Sequence, residues 1–192
     1  MSNVRSYTDL EIIERIESLP SFKGWKKGKY SVFMRSNEDE FNRFDDKKYC
    51  YVVKIEGVRP DFVQVFPCTT NAGSAGLKNF DKYNNLGCAV LKSDVIVYNS
   101  HKYGLHKGQY PAYVQNVGFP YYRDNDKDDK AEEIGKEYNN IIGANIHKAG
   151  INSTQIDGWS VACLVDQKSN DFTKYMMWAN KELMNVVILS EF

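Results

Sequence analysis

The sequence predicts a mixed α/β domain, mainly β, with a sheet-based body and one helix near each end. Three observations predict it. Short apolar runs rich in valine and tyrosine recur along the chain, bounded by Gly, Pro, Asn or Asp. Only two segments carry apolar residues at helical spacing. Apolar residues make up 42% and aromatic residues 14% of 192, including 13 Tyr and 10 Phe, the composition of a folded globular domain. A chain of this length buries about 70% of its unfolded surface.

The elements follow in order. Thr8-Asp9-Leu10-Glu11-Ile12-Ile13-Glu14-Arg15-Ile16 offers Thr8 and Asp9 as N-caps and Leu10, Ile12, Ile13 and Ile16 as an apolar face, a helix ending near Leu19-Pro20. A helix of about three turns does not stand alone in water. Residues 1–24 therefore read as a helical appendage packed on a main domain of residues 25–192, with Pro20, Gly24 and Gly28 marking the join. Strands are expected over residues 30–35, 49–55, 62–67, 87–91, 95–98, 113–117, 143–147 and 186–189. The glycine- and asparagine-rich stretch 69–87 reads as a long loop. Phe172, Tyr175, Met176 and Ala179 set the apolar face of a second helix over residues 170–180.

Charge excludes several partners. The 25 basic and 25 acidic residues cancel, and nucleic acid, which demands a basic face, is not an expected partner. Trp25-Lys26-Lys27-Gly28-Lys29 is the densest basic patch and reads as a solvated turn. No stretch approaches the roughly 18 apolar residues of a membrane span. Met1-Ser2-Asn3-Val4-Arg5-Ser6-Tyr7-Thr8-Asp9 lacks the apolar core of a signal peptide, so the chain is expected in the cytoplasm of the cell that makes it. Cys50, Cys68, Cys88 and Cys163 form no Cys-x-x-Cys pair and are expected as reduced thiols. No cofactor is expected, and nothing in the sequence specifies an oligomeric state. Asp124, Asp126 and Asp128 have the spacing that opens a calcium loop. Asp129 stands where that loop wants glycine and Gly135 where it wants glutamate, so a solvated acidic loop is the expectation and no metal is assigned.

The chemistry concentrates in Asn145-Ile146-His147-Lys148-Ala149-Gly150 and Gly158-Trp159-Ser160-Val161-Ala162-Cys163. An apolar run delivers a histidine, a polar loop follows, and a cysteine then enters the apolar run Cys163-Leu164-Val165. A thiol becomes a strong nucleophile when a neighbouring base or positive charge favours its thiolate, and this order lets one loop set the imidazole beside the thiol. His106, in Leu105-His106-Lys107-Gly108, is a candidate second polar group in the same cleft, or else an exposed strand-end histidine. His101 is read as structural. The three histidines include no His-Glu-x-x-His, and a zinc site would need a carboxylate or Cys163 as ligand. No Gly-x-Ser-x-Gly turn supports a serine nucleophile.

These residues resemble the active-site motif of L,D-transpeptidase (YkuD-type) catalytic domains. There a histidine precedes a Ser-His-Gly-Cys turn; His147, Ser160 and Cys163 match the histidine, the serine and the nucleophile. Val161 stands in place of the second histidine, Ala162 in place of glycine, and Leu164-Val165 lacks the arginine that usually follows the cysteine. The chain is similar to a divergent, phage-encoded branch of that domain through Trp159, Ser160 and Cys163. The same likeness extends to Arg35-Ser36-Asn37-Glu38-Asp39-Glu40 with Phe44-Asp45-Asp46, to Gly104-Leu105-His106-Lys107-Gly108-Gln109-Tyr110-Pro111-Ala112, and to Tyr122-Arg123-Asp124-Asn125-Asp126.

The resemblance implies an L,D-transpeptidase-like sheet-based fold and a cysteine acyl-transfer enzyme acting on peptidoglycan stem peptides. Cys163 would attack, His147 would move the proton, and the backbone carbonyl of Lys148 would orient the imidazole. Oxyanion donors would be the backbone N–H groups of Ala162 and Cys163. Ser160 would shape the turn, while Trp159 and His106 would line the substrate cleft. A phage protein of this kind would leave the infected cell at lysis or travel in the virion. The alternative is a non-catalytic phage structural or cell-wall-binding protein with a degenerate site, which Val161, Ala162 and Leu164 favour. A glycine at position 162 could take a left-handed conformation freely, whereas alanine pays for it, so the turn's backbone bears on the choice.

Overall fold

In the computed structural model, residues 4–38 and 40–192 are described. Met1-Ser2-Asn3 and Asp39, quoted above, lie outside them. The elements are α1 (Asp9–Glu17), β1 (Gly28–Arg35), β2 (Asp46–Val53), β3 (Asp61–Thr69), α2 (Ser74–Lys78), a 3-10 turn (Phe80–Lys82), β4 (Cys88–Leu91), β5 (Val95–His106), β6 (Tyr110–Gln115), β7 (Phe119–Asp124), β8 (Tyr138–Asn140), β9 (Ile146–Lys148), β10 (Leu164–Asp166), α3 (Ser169–Ala179) and β11 (Met184–Ser190). The fold is mixed α/β and mainly β, with a helix near each end.

Alternation along the strands explains its plan. In β1 Phe33 faces one core while Val32 and Met34 face another; in β11 Val186 and Ile188 join the first, Val187 and Leu189 the second. Such strands need cover on both faces. On one side α1 supplies it, burying Ile12, Ile13 and Ile16 against Tyr30, Val32, Tyr51 and Val187. A capping box fixes its start: Thr8 Oγ1 accepts from the Glu11 N–H at 3.2 Å, and Glu11 Oε2 accepts from the Thr8 N–H at 2.7 Å. On the other side Phe172, Tyr175 and Ala179 of α3 enter the first core.

Eight strands close a barrel in the order β1-β11-β5-β6-β9-β10-β3-β2. Two neighbouring pairs, β1 with β11 and β9 with β10, are parallel. A three-stranded sheet, β4-β7-β8, stands beside the barrel. Inside the barrel wall Lys48 and Asp166 form an ion pair at 2.5 Å, both side chains fully buried, and the Lys48 ammonium lies 3.5 Å from the Tyr175 ring centre.

The structure departs from the sequence reading in three ways. The stretch expected as a loop contains α2 and the 3-10 turn, because Leu77 and Phe80 bury against Ala72 and Cys88. Gly73 permits this packing, since a Cβ there would meet the Asp157 carbonyl oxygen at 2.4 Å. β5 continues past Tyr98 to His106, because its polar second half pairs with β6 across a turn in which Lys107 (φ 48°) and Gly108 (φ 70°) are left-handed. β7, β8 and β10 were not anticipated as strands. They are short, and Pro120 interrupts the pattern of β7.

Candidate active site

Parallel pairing brings the two key residues together. β9 and β10 lie side by side with Val165 opposite His147, and the Leu164 N–H donates to the Asn145 carbonyl at 2.9 Å. The turn before β10 therefore places Cys163 against the segment that enters β9. His106, at the end of β5, completes the group: one ring nitrogen of each histidine and the Cys163 sulfur lie within 4.8 Å of one another. The two imidazole rings are 4.0 Å apart, tilted by 31°.

Hydrogen bonding assigns the His147 tautomer. Nδ1 lies 2.9 Å from the Lys148 carbonyl, which only accepts, so Nδ1 carries the proton. The Tyr110 hydroxyl shares that proton at 3.2 Å. Nε2 is then the basic lone pair; it is buried and has no hydrogen-bond partner among the described residues. Burial, then the neighbouring His106, depresses the imidazole to about 4, against the Lys148 carbonyl and the Trp159 backbone, which favour its protonated form. His106 is lowered by burial and then by Lys107. At neutral pH both rings are neutral.

Asn145 is the hub that the sequence reading quoted but gave no role. Its N–H donates to Cys163 Sγ at 3.5 Å, its side-chain amide donates to His106 Nδ1 at 3.2 Å, and its Oδ1 accepts from the Gln115 N–H at 3.1 Å. The Cys163 thiol in turn donates to the Gly143 carbonyl at 3.6 Å. Gln115 braces that loop from behind: its Oε1 accepts from the N–H groups of Ile142, Gly143 and Ala144 at 2.9, 3.1 and 3.2 Å. Gln115 carried no signal in the sequence, and Tyr110 was quoted without a role, since what both do depends on β6 lying next to β9.

The turn itself is tightly held. Ser160 is fully buried and donates to the Cys163 carbonyl at 2.8 Å. Its own carbonyl accepts from Gly73, and Cys88 Sγ donates to the Val161 carbonyl at 3.3 Å. Ala162 is not among the left-handed residues, so alanine adds no strain where the motif carries glycine. The N–H groups of Ala162 and Cys163 donate to no acceptor among the described residues, which leaves them free for a ligand.

The thiol faces a cleft of about 460 Å³ whose walls include Trp159, Ile142, Tyr83, Lys107 and Arg123. Its charged lining residues are both cationic. Cys163 keeps partial exposure, unlike Cys50, Cys68 and Cys88, which are buried. Burial pushes its thiol up, opposed by the Asn145 N–H and Lys107, so the resting side chain is protonated.

No protein-family model, curated protein or solved structure matches this chain.

The remaining candidates fall elsewhere. His101 is buried in the barrel, donating from Nε2 to the Ala144 carbonyl at 2.7 Å and accepting from Ser100 at 2.9 Å. The acidic loop does not bring together the three residues that have calcium-loop spacing. Asp124 turns inward as the buried end of β7 and accepts from the Glu132 N–H at 3.1 Å, so Glu132 joins Asp126 and Asp128 on the surface instead. The stretch around Arg35 is structural: Arg35 binds Thr70, Glu133 and the Leu91 carbonyl, and Asp46 accepts from Ser36 and Thr70.

Proposed function

We propose that this protein is a cysteine-dependent acyl-transfer enzyme acting on peptidoglycan stem peptides. The observation that carries the reading is the partly exposed Cys163 thiol, grouped with His147 and His106 at the wall of a cleft. In this reading Cys163 Sγ attacks an amide carbonyl while His147 Nε2 takes the thiol proton. The tetrahedral oxyanion is received by the free N–H groups of Ala162 and Cys163. Collapse expels the amine, which takes the proton from His147, and leaves a thioester. Water then regenerates the thiol and gives an L,D-carboxypeptidase or endopeptidase; an amine acceptor gives a transpeptidase.

Substrate class rests on the resemblance of His147, Ser160 and Cys163 to the L,D-transpeptidase motif, and with it the L,D-transpeptidase-like fold and the phage origin. Lys107 and Arg123 add support, because a cleft whose charges are all positive suits a peptide bearing carboxylates. Two observations favour a non-catalytic wall-binding role: the resting thiol is protonated, and Val161 supplies no second imidazole.

Mass spectrometry of purified muropeptides incubated with the wild type, Cys163→Ala and His147→Ala separates the two. New products absent from both variants support the thiol mechanism, and their masses distinguish hydrolysis from transfer. No product, with the protein still sedimenting with cell walls, assigns a binding role.

A further inference from the structure

His106, His147 and Cys163 come from three separate places in the chain: the end of β5, the middle of β9 and the turn before β10. We propose that they form a three-ligand site for a thiophilic divalent cation, Zn²⁺ above all, with the fourth position open to the cleft. Two imidazoles and a thiolate suit Zn²⁺, whereas Mg²⁺ and Ca²⁺ require oxygen ligands.

Three features beyond proximity support the site. The first is the His147 Nε2 lone pair, buried in a residue only 1% exposed and without a partner. A buried polar atom normally finds one, and a cation would supply it. The second is the outer support. A metal-bound histidine typically donates its other N–H to a carbonyl, and His147 Nδ1 already does so to Lys148 at 2.9 Å. On the sulfur side, Asn145, itself fixed by Gln115, donates its N–H to Cys163 Sγ. At His106 its side-chain amide holds Nδ1, so ligation there requires that amide to turn away or the ring proton to move from Nε2 to Nδ1.

The third feature is the scale of the rearrangement needed. Zn–N bonds of about 2.0–2.1 Å and Zn–S bonds of about 2.3 Å give tetrahedral edges of roughly 3.3–3.8 Å. Ligand atoms within 4.8 Å therefore close by only about an ångström, within reach of side-chain rotation. Lys107, whose charge opposes a cation here, is exposed to solvent and screened. Binding converts the Cys163 thiol into a metal-bound thiolate and releases its proton to solvent, with no change of oxidation state.

Metal in this site occupies both the sulfur and the Nε2 lone pair. Resting on the proposed thiol mechanism, occupancy and acyl transfer exclude each other, so the cation acts as a reversible off-switch. Binding itself requires only the geometry.

The test uses the full chain, reduced and stripped of metal, titrated with Co²⁺ and then Zn²⁺. The expected result is one equivalent of Co²⁺ with thiolate-to-cobalt charge-transfer absorption and the strong visible bands of a tetrahedral ion, both bleached by Zn²⁺. Cys163→Ser should abolish the charge-transfer band, and His106→Gln and His147→Gln should each weaken binding at least about tenfold. Should a variant unfold, Zn²⁺ protection of wild-type Cys163 from iodoacetamide, read by peptide mass spectrometry, remains decisive. Absence of the band together with unprotected Cys163 overturns the proposal. So does a band that survives Cys163→Ser, or wild-type affinity in folded His106→Gln. Because none of these readouts uses turnover, an enzyme inactive on muropeptides that still binds Co²⁺ sinks only the acyl-transfer reading. An active enzyme that binds none sinks only this one.

Discussion

Replacing Gln115 with alanine tests whether the thiol is held in place from behind. The substitution removes one acceptor shared by three N–H groups and the donor to the Val117 and Asn140 carbonyls. Ala144 is fully buried, so its N–H has no recourse to water, and an orphaned buried group costs about 1–3 kcal/mol. Ile142 is half-buried and Gly143 exposed, so water replaces the lost partner there and each loss falls nearer 0.5–1 kcal/mol. The two carbonyls belong to exposed residues and add little. The sum is a destabilisation of about 2–5 kcal/mol, read from urea unfolding midpoints. Gln115→Glu is the control: it keeps an acceptor for the three N–H groups and gives up only the donor to solvent-accessible carbonyls, so it should stay within about 1 kcal/mol of the wild type. Since the Gly143 carbonyl and Asn145 N–H both contact the Cys163 sulfur, alanine should also change the iodoacetamide reactivity of Cys163, and glutamate much less. Alanine and glutamate variants of equal stability would refute the role given to this acceptor.

Further expectations concern the barrel and the turn. Lys48→Met leaves Asp166 charged in the core without its partner and should cost about 3–5 kcal/mol in denaturant unfolding, while Lys48→Met combined with Asp166→Leu should recover most of it. Equal costs for the single and double variants would contradict the pairing. Burial holds His101 down to about 4 from 6.5, so the unfolded chain binds the extra proton between those values. Stability contributed by the neutral ring is present above pH 6.5 and falls as pH drops towards 4, by about 3 kcal/mol. His101→Gln should flatten that part of the pH–stability curve, and an unchanged slope would rule this out. Ala162→Gly should bring no gain in Cys163 reactivity, because Ala162 is not left-handed, and should lose about 0.4–1 kcal/mol through the more flexible unfolded chain.

What the sequence made legible was whatever depended on local pattern. Thr8 and Glu11 announce the start of α1, and Phe172, Tyr175 and Ala179 announce the buried face of α3, because capping and helical spacing are read within a few residues. His147 and Cys163 were legible as a pair because each sits at the edge of an apolar run. Long-range pairing hid the rest. Gln115 and Tyr110 matter only because β6 lies against β9, a neighbour with which its strand pairing is confined to Tyr113 and Ile146. The second half of β5 escaped notice because its histidines, lysine and glycine carry little strand propensity and are held by β6 instead. His106, one of the three ligands of the proposed cation site, reaches the site by that extension.

The protonation states at rest bear on how such a site would work. A thiol raised by burial beside an imidazole held near 4 is a neutral pair, not a thiolate–imidazolium ion pair. A small alkylating reagent reacts only with the thiolate fraction, so its rate at Cys163 should climb about tenfold per pH unit between pH 6 and 8 with no plateau. His147 carries no charge in that range, so His147→Gln should move this profile little. With a muropeptide in the cleft the demand differs, because the thiol must lose its proton as the sulfur attacks, and Nε2 is the base available. Loss of His147 should then cut turnover about 10²–10⁴-fold, the usual contribution of a positioned base, while alkylation stays near the wild-type rate. Parallel losses in both assays, or an alkylation plateau below pH 7, would instead mean a preformed ion pair and would remove the reason for assigning His147 as a base that acts only on bound substrate.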